Sequence, residues 1–253
     1  MKIVFIGAGN LAFHLSKALQ NGGFTIAQIY SRTKASAKEL ADALNTQYTT
    51  NVGSIVDDAT VYIMSVSDSA IGQLTEHLTT LDGLVVHTAG SVDVNVFEGK
   101  IKNFGVIYPL QTFSKSRTVN FSEIPVFIEA NSRDNLHTIS KLANAISQKV
   151  FYASSDERLQ LHLSAVFGCN FVNNLYNVSV QLARKARFDM SVLAPLILET
   201  AHKALASGNP EEVQTGPAAR NDRDVMKKHI ESLSDKPEWK ELYKLLSDNI
   251  KKG

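Results

Sequence analysis

Six residues near the N-terminus, Gly7-Ala8-Gly9-Asn10-Leu11-Ala12, follow an apolar run from Lys2 to Ile6 and open a one-sided helical pattern from Leu11 to Asn21. A G-x-G-x-x-A spacing placed between strand and helix leaves few folds open. The first glycine permits a tight turn, the second lets backbone approach a pyrophosphate, and a small third residue lets the helix pack close to the strand. The helix N-terminus then presents unpaired N–H groups to an anion. Gly7, Ala8, Gly9, Asn10 and Leu11 are therefore candidate cofactor-binding residues, with a ligand-free glycine-rich turn as the alternative.

The following residues have the alternation such a motif needs. Thr25 to Tyr30, Val61 to Ser65, Leu84 to His87 and Phe104 to Tyr108 are short runs rich in Val, Ile and aromatics and read as strands. Lys34 to Leu44 and Ser69 to Leu78 space apolar residues at three and four, as helices do. The pattern predicts an α/β fold with a doubly wound, mostly parallel sheet. Two more strands, Val126 to Glu129 and Lys149 to Tyr152, flank a helix from about Ser132 to Ser147. Ser154-Ser155-Asp156-Glu157 is a capping box, after which about thirty residues to Phe188 read as one long helix. Asn209-Pro210 and Asp235-Lys236-Pro237 each place a cap just ahead of a first-turn proline. The expected organisation is a nucleotide-binding domain over residues 1–153 and an all-helical domain over residues 154–253.

Composition excludes several classes. In 253 residues, Lys+Arg 26 against Asp+Glu 25 leave a net charge of +1, so no global field recruits nucleic acid or an anionic membrane. The lone Cys169 has no disulfide partner, and the seven histidines are scattered without metal-ligand spacing, so no metal is expected. The opening apolar run is too short for a signal peptide and no stretch reaches membrane-spanning length, which predicts a cytoplasmic protein.

The second strand selects the cofactor. An acidic residue about twenty positions beyond the glycines would accept from the ribose hydroxyls of NAD. Here the strand ends Tyr30-Ser31-Arg32-Thr33, with no carboxylate. Arg32 can hold a 2′-phosphate and stack on adenine, with Ser31 and Thr33 as further donors, so the cofactor expected is NADP. Val66-Ser67-Asp68 and His87-Thr88-Ala89-Gly90-Ser91 also fall at the carboxyl edge, where open α/β sheets bind ligands. Asp68 reads as a helix cap.

Together G-A-G-N-L-A, Y-S-R-T, S-V-S-D-S-A-I, H-T-A-G-S, Y-P-L-Q-T-F and T-G-P-A-A-R-N-D resemble a family of Rossmann-like candidate NADP oxidoreductases with a helical C-terminal domain of unknown function. The resemblance covers nearly the whole chain. It implies wider kinship with pyrroline-5-carboxylate reductase, the beta-hydroxyacid dehydrogenases, ketopantoate reductase and 6-phosphogluconate dehydrogenase. It also implies a substrate cleft between domains, or between one subunit's sheet and its partner's helices. In the hydroxyacid dehydrogenases the long helix carries a lysine one turn before an asparagine. If Asn170 matches that asparagine, Val166 stands at the lysine position and that mechanism does not carry over.

Hydride transfer needs a positioned cofactor, a proton donor and groups that hold the substrate. His162 and Asn170 are eight apart, hence about 80° apart around an α-helix, and can face one cleft. His162 is the first candidate acid because imidazole exchanges protons near neutral pH. His87 is second, with a structural histidine as its alternative. Tyr108-Pro109-Leu110-Gln111-Thr112 could orient a substrate or only turn the chain. Thr215-Gly216-Pro217-Ala218-Ala219-Arg220 could expose backbone N–H groups, the Thr215 hydroxyl and the Arg220 cation to a substrate. The alternative is an interhelical turn closed by an ion pair of Arg220 with Asp222 or Asp224. A long apolar helix in a small helical domain also predicts a homodimer through the C-terminal helices. The leading expectation is an NADP-dependent oxidoreductase acting on a small C=O or C=N substrate; a catalytically silent NADP-binding sensor is the alternative.

Overall fold

The computed structural model describes residues 1–252, which fall into two compact units, Met1–Asn170 and a second beginning at Phe171. The first is built on β1 (Lys2–Ile6), β2 (Thr25–Tyr30), β3 (Gln47–Thr49), β4 (Val61–Met64), β5 (Leu84–His87), β6 (Phe104–Pro109), β7 (Val126–Ala130) and β8 (Val150–Tyr152). Among the described residues these form one sheet in the order β3-β2-β1-β4-β5-β6-β7-β8. Strands β1 to β6 run parallel, β7 is antiparallel to β6, and β8 follows β7 in parallel. The order reverses between β1 and β4, as in a Rossmann sheet, and the helices leave from the carboxyl ends on either side of that switch point.

Side-chain alternation along the strands explains the two layers. Ile3 and Phe5 join a buried cluster with Ala12, Leu15 and Leu19 of α1 (Asn10–Asn21), Leu40 and Leu44 of α2 (Lys34–Leu44) and Leu142 of α4 (Arg133–Asn144). Val4 and Ile6 point the other way, with Tyr62 and Met64, to Ile71 of α3 (Asp68–Thr75) and to Val94 and Phe97. With both faces covered, β1 and β4 become continuous apolar runs, which is how they read in the sequence. β3 is a strand the sequence did not announce, because three residues are too few for a period to show.

The segment expected as one helix to Phe188 is interrupted. α5 (Ser155–Ala165) keeps the predicted capping box, with Ser154 and Glu157 bonded reciprocally. A π-helical turn, Val166–Phe171, follows, then α6 (Val172–Lys185). Gly168 lies inside this turn, where its low helix propensity weakens the α-ladder. α6 stops three residues short of Phe188 because Arg187 takes φ 64° and the Phe188 N–H turns back to Ala183 O at 2.9 Å.

The second unit holds α6, α7 (Ala194–Ser207), α8 (Arg223–Ser232) and α9 (Pro237–Lys252). α9 starts at the expected proline. The expected helix after Asn209 is instead a 3₁₀ turn, Pro210–Val213, because the Asn209 amide donates to Glu212 Oε1 rather than capping, and Gly216-Pro217 then break the chain. Asp222 caps α8 by accepting from Val225 N at 3.2 Å, so its carboxylate is not available to Arg220. Neither α6 nor α7 has a buried residue.

The two fingerprint glycines should respond oppositely to a methyl group. Gly7 has φ +116°, and a Cβ there would fall inside the shell of Ser65 O, whereas a Cβ at Gly9 meets nothing within 4 Å. Gly7→Ala is expected to lower stability by on the order of 2–4 kcal/mol in urea unfolding, and Gly9→Ala to leave it within about 0.5 kcal/mol. Equal losses would contradict the reading.

Candidate functional site

A cleft of about 510 Å³ runs along the carboxyl edge of β1, β2, β4 and β5. Gly7, Ala8, Gly9, Asn10 and Leu11 line it where α1 begins. Gly9 stands at the N-cap of that helix with no side-chain cap, so the first-turn N–H groups remain to be met by a ligand. Thr33 at α2 and Ser67 at α3 likewise make no side-chain cap bond, and both line the cleft. By contrast Ser132 and Ser154 cap α4 and α5, whose N-termini do not line it. Three uncapped N-termini beside open space at Gly9 make a cradle for a polyanion such as a dinucleotide.

The expected selector residues are also present. Tyr30, Ser31, Arg32 and Thr33 line the cleft, with Arg32 exposed and in no ion pair among the described residues. Ser31 Oγ accepts from Thr33 N at 3.4 Å, which shapes the turn. α2 has no acidic residue in its first turn, so nothing there opposes a phosphate.

Val66, Ser67 and Thr88 line the cleft as expected, joined by Ser65, Ala89 and Gly90. Asp68 is not a cap: it lies within the first turn of α3, and its carboxylate accepts from the Ser91 hydroxyl, tying the two loops together. His87 does not line the cleft. It is fully buried, its Nδ1 accepts from Ala89 N at 3.2 Å, and its Nε2 has no partner among the described residues. Burial pushes its pKa down from 6.5 to about 3, with the Arg158 charge acting in the same direction.

His162 lines the cleft from α5, and its Nδ1 is 3.1 Å from the Tyr108 hydroxyl at the end of β6. Burial raises the Tyr108 phenol to about 12, so it keeps its proton at neutral pH. Donating it to Nδ1 leaves the other ring nitrogen of His162 for a ligand. A Cβ at Gly90 would lie 2.8 Å from both rings, so the loop after β5 runs directly beneath the pair. A buried network fixes α5 there. Arg158, 1% exposed, pairs with Glu129 of β7 and donates to Val92 O. Ser155 Oγ donates to the same carboxylate at 2.9 Å and accepts from Val94 N at 3.0 Å. His162 stands one turn beyond Arg158.

A second cavity of about 500 Å³ shares Asn10, Leu11, Tyr108 and His162 with the cleft and extends along Pro109 to Phe113. Asn170 lines it with His162: the π turn rotates later positions relative to a continuous α-helix, yet both residues still reach one cavity. The loop after β6 is fastened to α1, since Asn10 Nδ2 donates to Phe113 O at 3.1 Å and His14 Nε2 lies 2.9 Å from Ser114 O, with the His14 and Phe113 rings stacked. Thr215 and Arg220 belong to the second unit, both exposed, with Arg220 in no ion pair among the described residues. Sequence reasoning singled out the run containing Tyr108 without giving that phenol a role. The available signal was a hydroxyl-bearing aromatic just ahead of a proline at a strand's carboxyl end.

The model of the family described as NADP oxidoreductase, coenzyme F420-dependent, matches residues 2–89, and that of a domain of unknown function, DUF2520, matches residues 124–250. The chain belongs to the family that carries this C-terminal domain behind an NADP oxidoreductase-like Rossmann domain. It is similar to a Bacteroides fragilis protein, BF3122, described as a candidate NADP oxidoreductase, at 45% identity, TM-score 0.95, covering 100% of this chain and 98% of that one. The fold is shared with 1-pyrroline-5-carboxylate reductase from Streptococcus pyogenes, at 14% identity, TM-score 0.63, covering 100% and 99%. It is shared too with an imine reductase from Myxococcus stipitatus in complex with NADP⁺, at 15%, TM-score 0.62, covering 100% and 92%. Comparison with curated proteins finds no match.

Because the folded protein holds His87 neutral at a pH where the unfolded chain protonates it, its contribution to stability is complete above about pH 6.5. It is lost as pH falls towards 3, by up to ~1.4 kcal/mol per pH unit. His87→Gln should flatten urea-unfolding stability between about pH 6.5 and 4; the same slope in variant and parent would refute this.

Proposed function

We propose that the protein is an NADP(H)-dependent oxidoreductase that interconverts a small C=O or C=N compound and its reduced form. The observation that carries this reading is the juxtaposition of a cleft fitted for a dinucleotide with the Tyr108–His162 pair at its end. The α1 N-terminus and Gly9 receive the pyrophosphate, and Arg32 with Ser31 and Thr33 receives the 2′-phosphate. When bound, NADPH supplies the hydride. Val66, Ser67, Thr88, Ala89 and Gly90 form a close, small-residue wall for the reacting end. As hydride reaches the substrate carbon, the π pair moves to oxygen or nitrogen, which takes a proton from His162; Tyr108 orients the imidazole and water returns the proton. Buried and held neutral, His87 braces the Thr88–Gly90 loop. Asn170, and Thr215 and Arg220 of the helical region, are substrate-holding groups in this account, and Val166 leaves the proton to His162 rather than to a lysine.

Purified protein titrated with NADPH and NADH, read by nicotinamide fluorescence, should favour NADPH, and Arg32→Ala should weaken NADPH roughly 10- to 100-fold with little effect on NADH. Absence of binding by either nucleotide would remove this reading. The silent-sensor alternative draws on Val166. It predicts dinucleotide binding with no turnover of keto acids, ketones or cyclic imines, whereas turnover lost in His162→Gln would refute it.

We also infer that the molecule is a cytoplasmic homodimer joined through its C-terminal helices. Leu196, Leu198 and Leu205 of α7 and Leu245 of α9 are 59–82% exposed, and residues 154–253 supply little buried core to hold them. Sedimentation should give a dimer that Leu198→Glu with Leu205→Glu dissociates; a monomeric parent would overturn this.

A further inference from the structure

The wall of the second cavity carries no permanent charge. Its polar side chains are the amides of Asn10, Gln111 and Asn170, the hydroxyls of Thr112 and Tyr108, the His162 imidazole and the Cys169 thiol; the rest is aliphatic or aromatic. The charges nearest to Tyr108 do not offer a counter-ion either. Arg158 is buried and committed to Glu129, and Asp68 is itself an anion. His162 is the proton donor in the proposed reaction, so it cannot also serve as a fixed cation for an anionic substrate group.

The amides present donors and acceptors together. Asn10 donates to Phe113 O and keeps its Oδ1. Gln111 Oε1 accepts from Thr112 N at 2.8 Å, which leaves its Nε2 with no partner among the described residues. The Asn170 amide makes no hydrogen bond among the described residues. A ligand group that both gives and takes hydrogen bonds satisfies such a wall, whereas a carboxylate only accepts and would enter without a cation.

From this we propose that the cavity takes an uncharged substrate bearing a carboxamide or hydroxyl group next to its reducible C=O or C=N, and that it discriminates against the corresponding carboxylate. The inference rests on the hydride-transfer reading above and specifies its substrate class. Gln111 is the specificity-determining residue, exposed on the loop that α1 holds in place through Asn10.

The test uses full-length protein saturated with NADP⁺ and ligand-observed NMR of a matched pair, cyclopentanecarboxamide and cyclopentanecarboxylate. The carboxamide should bind about tenfold or more tightly than the carboxylate. Gln111→Arg, at an exposed position and with its melting temperature checked against the parent, should narrow or invert that ratio. A carboxylate bound as tightly as the carboxamide, binding of neither ligand, or a ratio unchanged in the variant would each overturn the proposal. Dinucleotide affinity is recorded on the same samples. NADP⁺ bound with a carboxylate preference sinks the substrate class alone, whereas no NADP⁺ bound sinks the hydride-transfer reading with it.

Discussion

The buried pair of Arg158 and Glu129 is the contact on which the site depends. Glu129 comes from β7, the strand that turns antiparallel at the end of a parallel sheet, and Arg158 comes from the second turn of α5. Their bond, shared with Ser155 and Val92 O, fixes the start of α5 against both the sheet and the loop after β5. Removing one member of such a pair costs about 3–5 kcal/mol, because the other charge stays buried alone. One turn further on, His162 meets Tyr108, so a structural ion pair sets the geometry of the candidate proton donor.

The same logic of partnered and unpartnered groups organises the carboxyl edge. Helices that only pack are capped by their own serines, whereas those that open on the cleft keep their first N–H groups uncommitted. Uncommitted N–H groups favour an anion, and Arg32 adds the cation that a 2′-phosphate needs. The adjoining cavity has hydrogen-bonding groups without charge, and so differs in kind from the cleft it joins. A charged carrier molecule at one end and an uncharged reactant at the other is the division of labour that these two linings favour.

Much of this was legible in the sequence where the physics is local. The glycines after β1, the lack of a carboxylate after β2 and the Ser154–Glu157 capping box each depend on residues a few positions apart, and each is found in its expected place. Elements set by tertiary contacts were not legible. β3 is too short for a period, the π turn at Val166–Phe171 follows no cap or proline, and the helix expected at Pro210 gives way to a 3₁₀ turn. His87 could not be told from a ligand-facing histidine, because its burial depends on Phe97 and Arg158, far along the chain. Tyr108 gains meaning only beside His162, fifty-four residues away.

A crystal structure of the protein with NADP⁺ tests the central claim most directly. The account predicts pyrophosphate oxygens on the backbone N–H groups at the start of α1, the 2′-phosphate against Arg32 and Ser31, and the nicotinamide end beside Thr88 and the Tyr108–His162 pair. A dinucleotide seated away from the Gly7–Leu11 turn, or one whose 2′-phosphate turns from Arg32, would contradict it.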